Sequence, residues 1–217
     1  MRSKLSRFAE NTQRKNVVEP GKPIFAKIQG NWHSYFENDY PIVLELGCGH
    51  GEYTVGLAAL HPKINFVGVD VKGARIWKGS RDAEALQLSN AAFLRIRILQ
   101  LEDSFAEQEA AGIWITFPDP HPKESEEKRR LTSPRFLEMY KQVLQPDSWI
   151  HLKTDNLALY EYTLEVLRNR EDVQNLTYTD NLYISDLYGI EQQIQTTYER
   201  KFALRGINIK YVRFQFR

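Results

Sequence analysis

The sequence predicts a mostly parallel, doubly wound α/β sheet with an antiparallel strand at its C-terminal end. Three observations predict it. Short apolar runs recur along the chain, stretches with helical spacing separate them, and the last residues alternate apolar with polar side chains. Buried parallel strands are typically continuous apolar runs, and strands that alternate with helices form right-handed βαβ units. A chain of 217 residues is long enough for one such domain.

The first strand–helix repeats lie between residues 41 and 88. PIVLEL at 41–46 and INFVGVD at 64–70 are apolar runs that predict buried strands. A helix between them is predicted to end before Pro62, and a longer helix is predicted over about 72–88.

The second half continues the alternation. Further strands are predicted at 91–96, 112–117 and 148–154. Ser133 before Pro134 is typical of a helix start. An amphipathic helix is predicted from the spacing of Leu157, Tyr160, Leu164 and Leu167. A last strand is predicted from the alternating apolar residues Val212, Phe214 and Phe216.

The first 38 residues differ in pattern and in charge. They show little periodicity and several prolines and glycines, so we predict a basic N-terminal arm at 1–38 before a single domain at 39–217. Within residues 1–30, two carboxylates, Glu10 and Glu19, face seven cations. The cations are Arg2, Lys4, Arg7, Arg14, Lys15, Lys22 and Lys27. A second basic cluster comprises Lys123, Lys128, Arg129, Arg130 and Arg135. Such runs are either solvated surface or phosphate-binding surface.

Composition limits the class of protein. Cys48 is the only cysteine, so an internal disulfide is ruled out and a reducing compartment is indicated. No apolar run reaches the ~18 residues of a membrane span, and no apolar segment follows the N-terminal basic residues. The histidines show no metal-ligand spacing. We therefore expect a cytoplasmic protein without a membrane segment or a metal ion.

The segment LELGCGHG at 44–51 predicts a cofactor loop. Gly47, Gly49 and Gly51 follow a strand and open a helix, where glycine lets the backbone turn tightly and approach a ligand. Dinucleotide sites more typically show GxGxxG and place a pyrophosphate at the helix start. Here Glu45 and Glu52 flank the loop, which favours a cationic ligand instead.

Asp70 ends the next predicted strand. A carboxylate at that place can accept hydrogen bonds from both hydroxyls of a ribose, although a helix-capping aspartate would suit the position too. ELGCGHG together with GVD resembles the motifs of the Rossmann-like class I methyltransferases. That resemblance implies S-adenosyl-L-methionine as cofactor, bound by Glu45, Gly47, Gly49 and Asp70.

PDPHPK at 118–123 is the second informative segment. Asp119 stands between two prolines, so its backbone is restricted on both sides, and Lys123 follows closely. A carboxylate fixed in this way is suited to orient a base. The alternative is a rigid turn with a solvated aspartate.

The segment as a whole resembles the tRNA (guanine-N7-)-methyltransferase family, whose hallmark is PDPxxK followed by a KRR element. HLKTDN at 151–156, TTYERKF at 196–202 and the opening MRSKLSRF also resemble that family. The resemblance implies methyl transfer to N7 of the guanine at position 46, in the variable loop of tRNA. It implies Asp119 as the catalytic and cofactor-contacting carboxylate. It also implies four substrate-binding residues, namely Lys123, Asp155, Thr196 and Glu199.

One residue departs from the family pattern. Many relatives carry an acidic residue near the adenine where this chain has Arg97, so the adenine contact is left open, with Gln100 and Glu102 as candidates.

For the reaction we expect Asp119 to stabilise positive charge on the base. Asp155 or Glu199 would accept hydrogen bonds from the Watson–Crick edge. Residues 1–27 of the basic arm and residues 128–130 would hold tRNA phosphates. Other readings are a methyltransferase for another RNA, a small molecule or a protein, a non-catalytic RNA-binding protein on this fold, and, more remotely, a nicotinamide oxidoreductase.

Overall fold

Residues 3–217, the part of the chain that this computed structural model describes, form one eight-stranded sheet with helices on both faces. The strands are β1 (Val17–Val18), β2 (Ile42–Leu46), β3 (Asn65–Val69), β4 (Ala91–Leu94), β5 (Ala110–Thr116), β6 (Leu144–Thr154), β7 (Val173–Thr179) and β8 (Lys210–Phe216). The α-helices are α1 (Lys4–Gln13), α2 (Trp32–Phe36), α3 (Glu52–Leu60), α4 (Gly73–Ala85), α5 (Pro134–Val143), α6 (Leu157–Arg168) and α7 (Thr197–Ala203). Short 3₁₀ helices lie at Phe25–Lys27, Ile98–Asp103, Glu124–Arg129, Leu182–Ile184 and Glu191–Gln193.

The strand order is β1-β4-β3-β2-β5-β6-β8-β7. From β2 the chain moves outward through β3 to β4, then returns to place β5 on the other side of β2. The pairs from β1 to β6 are parallel, and β8 runs antiparallel to both β6 and β7. The predicted fold class is confirmed. The order reverses between β2 and β5, and that point is where an open parallel sheet leaves room for a ligand.

The predicted strands and helices from residue 41 onward are present, with ends that differ by a few residues. The helix expected over 72–88 spans Gly73–Ala85, and the strand expected at 148–154 begins at Leu144. The sequence did not predict β1, β7, α1, α2 and α7.

The N-terminal segment is packed more closely than an arm or lid would be. Val18 pairs with β4, and Ile28 and Trp32 are buried in the same apolar cluster as the central strands. The Trp32 ring stacks on Phe105 at 5.0 Å, and its indole N–H donates to the Ser104 carbonyl. The expectation of a segment without core elements is therefore corrected, while the division at residue 38 stays a prediction.

Several cations of this segment have partners within the fold. The Arg7 and Arg14 guanidinium groups lie over the Trp77 ring at 5.2 and 6.0 Å, and Arg14 also pairs with Glu84. The Lys22 ammonium donates to two backbone carbonyls at 2.6 Å. Arg2 and the side chain of Lys4 lie outside the described residues. Only part of the predicted basic surface is thus available to a partner.

The core lies on both faces of the sheet. On one face, Leu44, Val67 and Ile113 pack under α5, α6 and the N-terminal segment, and on the other, Phe93 and Trp114 pack under α3 and α4. This alternation along the strands is what two-sided burial requires. In residues 3–217 no helix has the length and apolarity to cross a bilayer.

Candidate active site

A cavity of about 440 Å³ opens where β2 and β5 end, at the point where the strand order reverses. Its wall comes from the turns after β2, β3, β4 and β5 and from the start of α5. The residues that line it are Gly47, Asp70, Val71, Lys72, Arg75, Ile96, Arg97, Ile98, Leu99, Phe117, Pro118, Asp119, His121, Lys128, Arg129, Leu131, Arg135 and Phe136. We refer to it as the larger cavity.

The glycine loop forms one wall. Gly47, Gly49 and Gly51 all have positive φ, between 55° and 75°, which L side chains rarely adopt. A Cβ on Gly47 would come no closer than 3.9 Å to another atom, so that residue leaves free space beside the cavity. A Cβ on Gly51 would lie 2.4 Å from the Phe93 ring. The first glycine therefore shapes the cavity, and the last lets α3 pack on the sheet.

Asp70 is buried at the end of β3 and faces the loop. Its carboxylate accepts hydrogen bonds from the backbone N–H of Gly49 at 3.0 Å and of Lys72 at 2.7 Å. These bonds join the turns after β2 and β3. A carboxylate offers about four acceptor positions, so two remain for a ligand in the larger cavity.

Glu45 lies beneath the loop and does not border the cavity. One carboxylate oxygen accepts from the backbone N–H and the hydroxyl of Thr54, and the other accepts from the Thr116 hydroxyl at 2.7 Å. Burial raises the pKa of Glu45 to about 7, against the lowering effect of these donors. Glu45 thus fixes the first turn of α3 to β5.

Both carboxylates that flank the glycine loop have hydrogen-bond partners within the protein. Glu45 is occupied by Thr54 and Thr116, and the Glu52 carboxylate accepts from the backbone N–H and hydroxyl of Thr197. The assignment of Glu45 as a cofactor-binding residue stays a prediction.

The larger cavity also has an apolar surface, which the sequence did not predict. Val71 and Leu99 line it and are 53% and 44% exposed, and Ile98 lines it too. Exposed aliphatic side chains inside a cavity suit the flat faces of a heterocyclic ring. Of the residues considered for adenine, Arg97 borders this cavity, while Gln100 caps the adjacent 3₁₀ helix.

The PDPHPK segment forms part of the wall of the larger cavity through Pro118, Asp119 and His121. Asp119 is exposed at the cavity wall, and Phe117 and His121 on either side have φ of 51° and 44°. Such conformations cost about 1–3 kcal/mol each and persist where surrounding contacts impose them. The Phe117 N–H donates to the Lys153 carbonyl at 2.8 Å, and Arg130 donates to the His121 carbonyl at 3.1 Å. Asp119 is therefore presented on a braced loop.

A smaller cavity of about 310 Å³ adjoins the larger one, and Gly47, Arg75 and Phe117 border both. Its remaining wall includes Thr116 and the start of α7. We refer to it as the smaller cavity. Phe117 stands between the two.

One predicted substrate residue borders the smaller cavity, and a second interacts with a residue of its wall. Thr196 borders it and Asp155 accepts a hydrogen bond from the Tyr198 hydroxyl, which also feels the charge of Asp119. Burial, followed by the Asp155 and Asp119 carboxylates, raises the pKa of Tyr198. The Tyr198 ring is 47% exposed and lies 5.5 Å from the Phe117 ring. Tyr198 was not singled out from the sequence. Lys123 is exposed at the start of a 3₁₀ helix and borders neither cavity.

Glu199 borders neither cavity. Its side chain is fully buried, and its carboxylate pairs with the fully buried Lys153 ammonium at 2.8 Å and accepts from the Tyr183 hydroxyl at 2.9 Å. The Thr196 hydroxyl accepts from the Glu199 N–H, so Thr196 and Glu199 occupy the Ncap and N3 positions of α7. These partners occupy the carboxylate in this structure, and the assignment of Glu199 as a substrate-binding residue stays a prediction.

Lys153 is one of the residues that hold the segment 182–203 to the sheet. Besides Glu199, its ammonium donates to the carbonyls of Gln192 at 3.2 Å and Ile194 at 3.3 Å. Lys153 lies within the HLKTDN segment, but nothing in the sequence indicated that its side chain is buried.

Comparisons with known proteins agree with this architecture. The family model described as "Putative methyltransferase" matches residues 39–212. The chain is 45% identical to a tRNA (guanine-N(7)-)-methyltransferase of Cytophaga hutchinsonii, over 99% of this chain and 98% of the relative. It is 42% identical to the enzyme of that name in Christiangramia forsetii, over 100% and 99% of the two chains.

Among solved structures, the fold resembles the 16S rRNA methyltransferase KamB, with a TM-score of 0.63 and 15% identity over 86% of this chain and 93% of that one. A second similar structure is an antibiotic-related methyltransferase, with a TM-score of 0.62 and 16% identity over 85% and 92%. At such identities the likeness extends to the fold alone.

Proposed function

The chain belongs to the tRNA (guanine-N(7)-)-methyltransferase family, and on this premise we propose that it transfers a methyl group from S-adenosylmethionine to N7 of guanine 46 in the variable loop of tRNA. The observation that carries the proposal is the pair of adjoining cavities, with Asp119 on the wall of the larger one and Asp155 and Tyr198 near the smaller one. One space suits a nucleoside cofactor and the other a single base.

The residues of the larger cavity fit S-adenosylmethionine. Asp70 keeps free acceptor positions for ribose hydroxyls, Val71 and Leu99 supply apolar contact for an adenine, and Gly47 leaves space for the amino-acid part. When bound, S-adenosylmethionine would supply a methyl group on a positively charged sulfur, which passes to N7 as the methyl–sulfur bond breaks.

The acceptor atom determines what the protein must do. Guanine N7 carries a lone pair and no proton, so no general base is needed, and catalysis rests on alignment of the reacting atoms. Methylation leaves the ring positively charged, and the Asp119 carboxylate would stabilise that charge as it develops. Its braced loop keeps it in place without reorganisation during the reaction.

Recognition of guanine falls to Asp155 in this proposal. A carboxylate accepts the N1–H and N2–H₂ donors of guanine together, a pair that adenine does not present. Tyr198 orients Asp155 through its hydroxyl. Guanine must leave its stack to enter the smaller cavity, and aromatic side chains such as Tyr198 and Phe117 favour an unstacked base.

The direct test is to incubate the protein with an unmodified tRNA transcript and labelled S-adenosylmethionine, then cleave the RNA at N7-methylguanine. We expect one cleavage, at position 46, and none in a transcript with adenine there. Cleavage elsewhere, or label in bulk protein or small molecules instead of tRNA, would refute the proposal.

Asp119→Asn tests the catalytic assignment. It should lower the rate of methyl transfer about 100-fold or more, because one preorganised charge contact is lost. Binding of S-adenosylmethionine, measured by calorimetry, should remain. Asp39→Asn is the matched control, since Asp39 is exposed just before β2, at the opposite edge of the sheet. A wild-type rate for Asp119→Asn would remove Asp119 from the mechanism.

A further inference from the structure

Five cationic side chains border the larger cavity without a partner among the described residues. They are Lys72, Arg75, Arg97, Lys128 and Arg135, and we refer to them as the cationic rim. All five are exposed. The sequence-based expectation had assigned phosphate binding to residues 1–27 and 128–130, and Arg97 had been noted only as a departure from the family pattern.

The lack of partners sets the three arginines of the rim apart from the other arginines of the described residues. Apart from the C-terminal Arg217, every other arginine of the described part has an ion pair, a hydrogen bond or an aromatic ring beside it. In the KRR element itself, Arg129 pairs with Glu126 and Arg130 lies over the Tyr162 ring. Lys128 is the residue of this element that has no partner among the described residues. Unpaired cations grouped at one opening create a positive potential that attracts anions.

The charge of the rim does not match the charge of the cofactor. S-adenosylmethionine carries a sulfonium, an ammonium and one carboxylate, so its net charge is positive. Two carboxylates of the larger cavity, Asp70 and Asp119, offer it complementary charge, whereas one cofactor carboxylate cannot satisfy five cations. We therefore expect the rim to bind a ligand other than the cofactor, one that carries several negative charges.

The rim lies on elements that surround the opening on opposite sides. Lys72 and Arg75 are at the start of α4 and Arg97 precedes the 3₁₀ helix Ile98–Asp103, while Arg135 is in the first turn of α5. Arg75 also borders the smaller cavity, so the positive surface reaches the space proposed for the base.

We propose that the cationic rim binds the phosphates that flank the target guanine, so that the tRNA backbone crosses the mouth of the larger cavity while the base enters the smaller one. This inference rests on the proposed function, because it takes tRNA as the substrate. It assigns Arg97 to the phosphate backbone of the substrate and not to the adenine of the cofactor.

The test compares Arg97→Gln, Arg135→Gln and the double variant with Lys63→Gln, a control with an exposed lysine before β3, at the far edge of the sheet. The substrate is an unmodified tRNA transcript at several salt concentrations. We expect each rim variant to raise the KM for tRNA about three- to tenfold and to lower the salt-dependence slope by about one. The control should change neither.

Calorimetry of S-adenosylmethionine with each variant, without tRNA, tests whether Arg97 contacts the phosphates of tRNA or the adenine of the cofactor. Affinity within twofold of wild type, or tighter, supports the phosphate assignment. Loss of cofactor affinity with an unchanged KM for tRNA would overturn it, as would unchanged KM and salt slope in the double variant. Absence of tRNA methylation by the wild type would instead refute the proposed function, so the two failures are distinguishable.

Discussion

The larger and the smaller cavity are neighbours, yet different forces hold their walls. The larger cavity is built from strand ends and tight turns, fixed by backbone hydrogen bonds to Asp70 and by glycines that lack a Cβ. The far wall of the smaller cavity is α7, part of the segment 182–203. Side-chain contacts join this segment to the sheet and to α3, among them the buried Lys153–Glu199 ion pair and the hydrogen bonds of Gln192 with Tyr211 and of Thr197 with Glu52. Backbone geometry thus shapes the cofactor side, and side-chain contacts between residues far apart in the sequence shape the acceptor side.

Among substitutions that test this difference between the two cavities, Lys153→Met is expected to have the largest effect on stability. It leaves the Glu199 carboxylate buried without its cation, which costs about 3–5 kcal/mol in the free energy of unfolding. The segment 182–203 should loosen first, and hydrogen exchange of its amides together with denaturant unfolding would measure both effects.

The double variant Lys153→Met, Glu199→Leu is the matched comparison. Removing both charges should recover most of the lost stability, since no unpaired charge remains buried. Lys141→Met is the surface control, because Lys141 pairs with Asp172 in a half-exposed position and should cost about 1 kcal/mol or less. Equal costs for Lys153→Met and Lys141→Met would show that the buried pair does not hold the segment.

On the cofactor side, Gly51→Ala is expected to have the next largest effect. The new Cβ would lie 2.4 Å from the buried Phe93 ring and would sit on a residue with φ of 71°. Overpacking and the left-handed backbone together cost about 3 kcal/mol. Thermal or denaturant unfolding would measure this decrease in the free energy of unfolding.

Gly49→Ala separates the two causes. Gly49 has φ of 55°, but a Cβ there would meet nothing closer than 4.0 Å, so about 1 kcal/mol is expected. If the two alanine variants were equally unstable, contact with Phe93 would not be the reason for Gly51.

Glu45, on the cofactor side, is expected to make the stability of the protein depend on pH. Burial raises its pKa in the folded protein to about 7, above the 4.5 of the unfolded chain. Between these values the folded state keeps a proton that the unfolded state has released, so this group makes stability fall as pH rises from about 4.5 to 7. The fall amounts to about 3 kcal/mol. Denaturant unfolding of the wild type at pH 5, 6, 7 and 8 should show it, and Glu45→Gln should remove it. The same pH slope in both proteins would contradict the assignment.

The difference between the two cavities also explains which parts of the structure could be predicted from the sequence. The strands from β2 to β6, the glycine loop, Asp70 and Asp119 follow from apolar runs and turn residues that are close together in the chain. The core role of the N-terminal segment was missed because β1 is only two residues long and its Val18 is buried by β4, far along the sequence.

The acceptor side was harder to predict for a similar reason. TTYE was interpreted through the family resemblance as two substrate contacts, but its spacing is also that of a helix N-terminal capping pair. Whether Glu199 faces a ligand or the core depends on Lys153, and no local pattern connects the two. Arg97 illustrates the opposite case, in which a departure from the family pattern pointed to a residue that borders the cavity.

The smallest expected effect tests how Asp155 is oriented. Tyr198→Phe removes the hydroxyl that donates to Asp155 and keeps the ring beside Phe117 and Phe202. One half-exposed hydrogen bond to a carboxylate contributes about 1 kcal/mol, so kcat/KM for tRNA should fall about three- to tenfold. Stability should not change, because the side chain is 47% exposed. Tyr178→Phe is the control, since Tyr178 lies on β7, is 44% exposed and borders neither cavity. Its hydroxyl accepts a hydrogen bond from Arg168 at the end of α6. Equal kcat/KM values for the two variants would mean that Tyr198 does not position Asp155. A loss of 100-fold or more would mean that its hydroxyl contacts the base directly.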